Sequence, residues 1–398
     1  MNEIERKYMS VLRAFVDGSA PEPVTGEELP RLLELARIHS TLGICCHGYL
    51  CHPECVPREL LPRLRRICLQ EIAVYSRRGE QMKTLAARLD EEKIECIYFK
   101  GFVVRDYYPV PELRTFGDVD FVIRREDRKK ADALMKALGY EPGDTWEPAY
   151  SYRKGAEYYE IHTDVMEIDV SDKADYVSYY SHIWEHTRPA RVVELPLARE
   201  FTPEFHFLYL LTHIAKHISG SGAGIRMYLD IAFFIQHFGD SPDWDWIAGE
   251  LEKLQLKDFA NMVLSAVECW FGVESPLALR PVAPEILEDF LEFTLAGGTY
   301  GYNGRDKSLV FLKQENRNQE EISRVRTLMH HAFPSVRSME NRYTYLQKRP
   351  WLLPAAWVHR LAASRSEWGR FASHTKNILT ADEEEARKLK RLYKEIGL

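Results

Sequence analysis

The chain has 398 residues, 45% hydrophobic and 28% charged, with a formal net charge of -7. That length exceeds one average domain and can bury a large core, so two or three folded domains are expected, and neither disorder nor a fibrous repeat fits the composition. The acidic balance excludes a general nucleic-acid coat, which needs a basic surface to displace counterions from phosphates.

The opening residues, MNEIERKYMSVLRAF, carry acids and no apolar core segment, so no secretory signal is expected. No stretch approaches the roughly 20 apolar residues of a membrane span, and the expectation is a cytoplasmic protein that does not bind membranes. Seven cysteines, an odd number, fit reduced thiols better than a disulfide framework.

From about 27 to 89 the apolar residues Leu32, Leu33, Leu35 and Ala36, then Leu60, Leu61, Leu64, Ile67 and Ile72, recur at helical spacing. Within this region GICCHGYLCHPEC places Cys45, Cys46, His47, Cys51, His52 and Cys55 close together. No Cys-x-x-Cys pair occurs there, so small buried residues on a helix are expected in preference to a zinc site.

At 94–99, IECIYF has strand character and ends at Lys100-Gly101. A short helical stretch at 102–107 and the Pro-containing loop YPVPELRTFG follow, then a second strand, DVDFVI, at 118–123. The segment 126–140 is an amphipathic helix closed by Gly139 in the left-handed capping position. The basic run Arg124, Arg125, Arg128, Lys129 and Lys130 is expected to be a solvated helix face.

Residues 157–170 alternate as one long extended run, with Tyr158, Glu160, His162 and Asp164 on one face. From 202 the pattern is helical: 203–237 interrupted by SGSGAG, then 244–271, then further helix to the end. Thr380 and Glu383 form a capping box, with Glu383–Arg387 and Glu384–Lys388 as i,i+4 pairs on a surface helix. The segment 351–363, WLLPAAWVHRLAA, is expected to pack in a core.

These elements predict an α+β fold: a helical region at 1–92, a catalytic core with a small mixed sheet and flanking helices at 93–200, and a large helical C-terminal domain at 201–398.

Chemistry concentrates in Lys100-Gly101, Arg114, Gly117-Asp118-Val119-Asp120 and Glu160-Ile161-His162. Two aspartates one residue apart at a strand start point the same way, and a third carboxylate from a neighbouring strand completes an oxygen cage suited to magnesium or manganese. Such a cage serves phosphoryl chemistry by neutralising a triphosphate and activating the attacking oxygen. The glycine lets backbone approach phosphates, the following helix start favours anions, and Lys100 adds a point charge.

The segment YFKGFVVRDYYPVPELRTFGDVDFVI resembles the signature of the uncharacterised bacterial nucleotidyltransferases of the polymerase-beta-like superfamily. YYEIHTDV is similar to that family's acid-x-His strand. The resemblance implies Glu160, rather than Glu157 or Asp164, as third metal-holding acid beside Asp118 and Asp120, with His162 next to it. FLYLLTHIAKHISGSGAGIRMYLDIAFFI resembles the family's paired histidines, arginine and Asp-Ile helix, which places His213, His217, Arg226 and Asp230 with Lys100, Gly101 and Arg114 around a nucleotide. With MENRYTYLQKRPWLLPAAWVHR the resemblance spans about 35–360.

The wider superfamily carries Gly-Ser or Gly-Gly where this chain has Lys100-Gly101-Phe102. His213 and His217 share a helix face and either pack or line a pocket, and Arg226 and Asp230, four apart, suit a pair.

The resemblance implies transfer of a nucleoside monophosphate from a nucleoside triphosphate such as ATP to a small-molecule, peptide or protein acceptor, with pyrophosphate released. A metal-dependent glycosyltransferase and a non-catalytic nucleotide- or partner-binding protein are the alternatives.

Overall fold

The computed structural model of the chain describes residues 1–146, 148–166, 170–171, 173–220, 222–299, 329, 332–339, 343, 345–362 and 390–398. The chain divides into two compact units, Met1–Tyr300 with Gly397–Leu398, and Gly301–Ile396. The sheet, the helices before it and the helices from Pro203 to Gly297 lie in the first unit, so the boundaries expected at 92 and 200 fall inside one compact body.

The first unit opens with helices α1 (Glu3–Asp17), α2 (Leu29–Ile38), α3 (Leu42–Cys51) and α4 (Leu61–Glu91). A capping box joining Asn2 and Glu5 starts α1, and Gly18, at φ 75°, ends it. Cys45 and Cys46 are buried in α3, whereas Cys51 is exposed, its sulfur 3.6 Å from His47 Nδ1.

Strand β1 (Cys96–Tyr98) leads into the single-turn helix α5 (Gly101–Val104), then β2 (Val119–Ile123), α6 (Arg128–Ala137), β3 (Glu141–Trp146), β4 (Ala149–Lys154) and β5 (Glu157–His162). After α7 (Tyr176–Tyr179) come β6 (Thr187–Pro189) and β7 (Ala198–Phe201), and the helices α8 (Pro203–Gly220), α9 (Ile225–Phe238), α10 (Trp244–Lys253), α11 (Lys257–Phe271) and α12 (Pro284–Gly297). Among the described residues the sheet has seven strands in the order β3-β4-β5-β2-β1-β7-β6. It is mixed: β2 runs parallel to β5 and β1 parallel to β7, while the β1–β2, β3–β4, β4–β5 and β6–β7 pairs are antiparallel.

Two expectations shift. The long extended run ends at His162: the Thr163 amide donates to the Pro148 carbonyl at 2.9 Å, and the Asp164 carboxylate turns back to accept from the Val165 amide at 2.9 Å. Asp164 therefore leaves the face that carries Glu160. The helical run at 244–271 is two helices, broken where Gln255 adopts φ 54°.

The second unit holds short helices at Val336–Met339, Tyr345–Lys348 and Leu353–Ala362. They close on a small core of Met339, Tyr343, Leu346 and Ala356, and Trp357 Nε1 donates to the Pro334 carbonyl at 2.8 Å. Trp351, expected inside, is 74% exposed. The capping box at Thr380 and Glu383 and the pairs to Arg387 and Lys388 lie outside the described residues. Among those described, no helix is long and apolar enough to cross a membrane.

Candidate active site

Strands β2 and β5 carry the acids. In their parallel register Asp120 stands opposite Glu160 and Val122 opposite His162, so Asp120 and Glu160 project from the same face as neighbours. Along β5, Tyr159 and Ile161 are buried, while Tyr158, Glu160 and His162 are half-buried on the other face. One oxygen each from Asp120 and Glu160 and one ring nitrogen of His162 lie within 4.8 Å of one another. That spacing suits a divalent cation, whose oxygen ligands sit at about 2.0–2.6 Å.

Asp118 lies on the bend before β2, exposed, and stands outside that trio. It is nevertheless part of the same field. The Asp120 charge pushes its carboxyl pKa up, and burial with the charges of Asp120 and Asp118 raises that of Glu160. Asp120 thus makes ionisation of Asp118 harder, and Asp120 and Asp118 together make that of Glu160 harder.

Asp120, only 7% exposed, departs from that pattern. Burial would raise its pKa, but the Lys100 ammonium, with Nζ donating to Oδ1 at 2.9 Å, and His162, with Nε2 2.8 Å from the same oxygen, outweigh it and hold the group below the usual carboxylate range. Lys100 responds in kind: burial favours its neutral form, and Asp120 overcomes this and raises the pKa. An ionised carboxylate only accepts, so His162 Nε2 donates here, and that nitrogen can serve the carboxylate or a cation but not both at once. Tyr158 OH donates to Glu160 Oε1 at 3.2 Å.

The rival acids are spoken for. Glu157 accepts from Gln81 Nε2 at 3.0 Å and from the hydroxyls of Tyr140 and Tyr159 at the far end of β5.

A run of rings joins the cleft to α8. Phe99 lies 6.0 Å from His162 and 5.3 Å from Tyr209, Tyr209 stacks on His213 at 5.7 Å, and His213 meets His217 edge-on at 4.5 Å. Burial, then the nearby positive charge of Lys100 and Lys216, with His217 adding at His213, lowers both pKa values: His213 is well below its ordinary value and His217 falls to about 4. The pair therefore both packs and borders the cleft.

Arg114 and Asp230 go elsewhere. Arg114 is buried and grips Asp230 with two prongs, Nε to Oδ1 at 3.0 Å and Nη2 to Oδ2 at 2.5 Å, and Tyr108 OH donates to Oδ1 at 2.7 Å. The expected Arg226–Asp230 pair does not form, because Asp230 already has these partners. Arg226 Nη1 donates instead to the Thr115 carbonyl at 2.7 Å and its hydroxyl at 3.0 Å, three residues before Asp118. Arg78 Nη1 donates to the Phe116 carbonyl at 2.5 Å, and Thr115 Oγ1 to the Ser40 carbonyl at 2.7 Å, so the loop before the acids is tied to α4, α9 and the α2–α3 connection.

Gly101 has a packing task besides the one expected of it. A Cβ there would run into Arg114 Nη1, so the missing side chain makes room for the buried guanidinium. Sequence reasoning missed Tyr108, Thr115, Tyr158 and Tyr209. Tyr108 stood in the quoted Tyr-Pro pair, and the alternation of β5 placed Tyr158 beside Glu160; nothing in the sequence marked the other two.

A family model described as uncharacterised nucleotidyltransferase matches residues 25–272, more than half of the chain, and stops well short of the C-terminal segment thought to share the resemblance. Among curated proteins none matches. Among solved structures, the solution structure of the antibiotic-resistance factor ANT(2'')-Ia is similar at 15% identity over 49% of this chain and 96% of that chain, with a TM-score of 0.33, too low to bear on the site. By the family match, this chain belongs to the uncharacterised nucleotidyltransferase family and is an enzyme of nucleotidyl transfer.

Proposed function

We propose that the enzyme transfers a nucleoside monophosphate from a nucleoside triphosphate to an acceptor, with Asp118, Asp120 and Glu160 holding magnesium or manganese. A nucleophilic atom of the acceptor attacks the α-phosphorus, the bond from that phosphorus to the bridging oxygen breaks, and pyrophosphate leaves. The observation that carries this reading is the in-register pairing of Asp120 with Glu160 on parallel strands, which puts two carboxylates and the His162 ring within 4.8 Å. The carboxylates fit a hard divalent ion such as magnesium or manganese. When bound, such an ion neutralises phosphate charge and activates the attacking oxygen.

The chain's own groups divide the remaining work. Lys100 supplies a positive charge beside the acids, and His162 and Tyr158 hold Asp120 and Glu160 in place. Arg226 fixes the loop that presents Asp118, while Arg114 with Asp230 braces the start of α5 from beneath, which makes these three positioning residues rather than nucleotide ligands. The half-buried, uncharged His213–His217 pair, backed by the buried Tyr209, offers an apolar contact for a base or an acceptor ring.

Family membership removes the glycosyltransferase alternative. The test incubates the protein with each of the four ribonucleoside triphosphates and magnesium or manganese, reading pyrophosphate release and mass shifts on small-molecule, peptide and protein acceptors. Pyrophosphate with a nucleoside-monophosphate adduct supports the proposal. Nucleotide binding without either, across all metals and acceptors, would revive the non-catalytic reading.

A further inference from the structure

Lys100 is held in a backbone conformation that lysine adopts only under constraint, with φ 53° and ψ -138°. Such strain persists where the surroundings over-determine it. They do so here. The Lys100 carbonyl accepts from the amides of Val103 at 3.1 Å and Val104 at 2.8 Å, the first bonds of α5, and the next residue, Gly101, is hemmed in by Arg114. Relaxing Lys100 would unwind the start of that helix.

The constraint aims the side chain. Its ammonium passes over the Phe99 ring, 5.1 Å from the centroid, and ends 2.9 Å from Asp120 Oδ1. His162 Nε2 approaches that same oxygen. The two groups thus occupy the carboxylate that a cation seated between Asp120 and Glu160 needs.

We propose that Lys100 is a resident counter-ion: it neutralises Asp120 while the cleft is empty, yields the carboxylate to an entering divalent cation, and turns its freed ammonium to the triphosphate. This rests on the metal-dependent reading above. An ammonium and a divalent cation repel strongly at contact distance inside a protein, so they compete for Oδ1. Lysine's flexible four-carbon stem lets the head move while the clamped backbone stays. Metal binding is then held weak until a triphosphate supplies further ligands and takes up the lysine, and by linkage each tightens the other.

The experiment measures Mn2+ binding to the full chain without nucleotide, by titration calorimetry and by the paramagnetic resonance of free Mn2+. The variants are Lys100→Met, Lys100→Gly, Lys100→Arg, Asp120→Asn and the double variant Asp120→Asn with Lys100→Met. Lys100→Gly guards against a folding failure, because glycine suits φ 53° and still removes the ammonium. Both neutral variants should bind Mn2+ about tenfold more tightly than wild type, since close charge pairs couple at least that strongly. Lys100→Arg should stay near wild type, and in the Asp120→Asn background Lys100→Met should add nothing. A non-hydrolysable nucleoside triphosphate should tighten Mn2+ binding in wild type by a larger factor than in the neutral variants. Equal Mn2+ affinity in wild type and both neutral variants, with Asp120→Asn weaker, overturns the counter-ion role and leaves the metal reading standing. No Mn2+ binding to any variant overturns both.

Discussion

Asp120 and Asp230 are both buried aspartates that accept from a basic side chain, at 7% and 3% exposure, yet their surroundings differ. Asp230 is met by a two-pronged arginine and a tyrosine hydroxyl, so one negative charge faces one positive charge in a closed set. Asp120 shares one lysine with Asp118 and Glu160, whose own pKa values rise because of it. The first arrangement spends its charge on the fold. The second keeps a surplus that only a group from outside can balance, and this separates a positioning pair from a ligand site more sharply than residue type or burial does.

The strongest way to break the contrast is to neutralise each side. Asp118→Asn with Asp120→Asn should lower pyrophosphate release by about two to three orders of magnitude, on the scale of losing a preorganised electrostatic contact in an active site. The metal-free melting temperature should fall less than in Asp230→Ala, because relieved repulsion at Asp118 and Glu160 offsets the lost Asp120–Lys100 pair, and the rise in melting temperature that Mn2+ produces in wild type should disappear. A double variant that unfolds as easily as it loses activity would put these acids in the same class as Asp230.

Asp230→Ala tests the other side and should cost about 3–5 kcal/mol in chemical denaturation, because it leaves the Arg114 guanidinium buried without a counter-charge. Its Mn2+ affinity, measured under conditions where the variant is folded, should match wild type. A stability loss below about 1 kcal/mol would mean that the pair is no brace.

The sequence disclosed the ligand side of this comparison better than the brace. Asp118 and Asp120 share parity at a strand start, which local alternation brings out, and Glu160 was picked by the family resemblance. The Arg114–Asp230 pair joins residues 116 apart, and a reading confined to one helix paired Asp230 with Arg226 instead. Asp164 was drawn onto the Glu160 face because alternation in sequence continued beyond His162, where the backbone hydrogen bonds turn away. Strands β3, β4, β6 and β7 escaped for related reasons: Glu141–Trp146 contains a proline and a glycine, Thr187–Pro189 and Ala198–Phe201 are short, and all four owe their form to sheet neighbours.

Gly101 sharpens the contrast, since the sequence assigned it to phosphate and the structure gives its space to Arg114. Gly101→Ala should cost about 1–3 kcal/mol of stability by overpacking against the guanidinium. Nucleotide affinity of the folded fraction should change less than twofold. Intact stability with lost triphosphate binding would return Gly101 to the phosphates.

The smallest effect comes from two tyrosines that do the same job on the two sides. Tyr108 OH donates to Asp230 Oδ1 at 2.7 Å in a buried cluster, and Tyr158 OH donates to Glu160 Oε1 at 3.2 Å at the half-exposed cleft. A hydrogen bond to a charged group is worth about 1.5–3 kcal/mol, and the buried, shorter one should deliver that range when Tyr108→Phe is unfolded in denaturant. Water can replace the Tyr158 hydroxyl at the cleft, so Tyr158→Phe should change stability by less than about 0.5 kcal/mol, as surface substitutions usually do. Its effect should show instead in the site, as a loss of roughly two- to threefold in Mn2+ affinity, because Glu160 loses the group that fixes its carboxylate and ligand-orienting partners further out cost at most about 10- to 100-fold. Equal stability losses from the two tyrosines would mean that Glu160 is held as part of the fold, and the division between a spent and an unspent carboxylate would not extend to it.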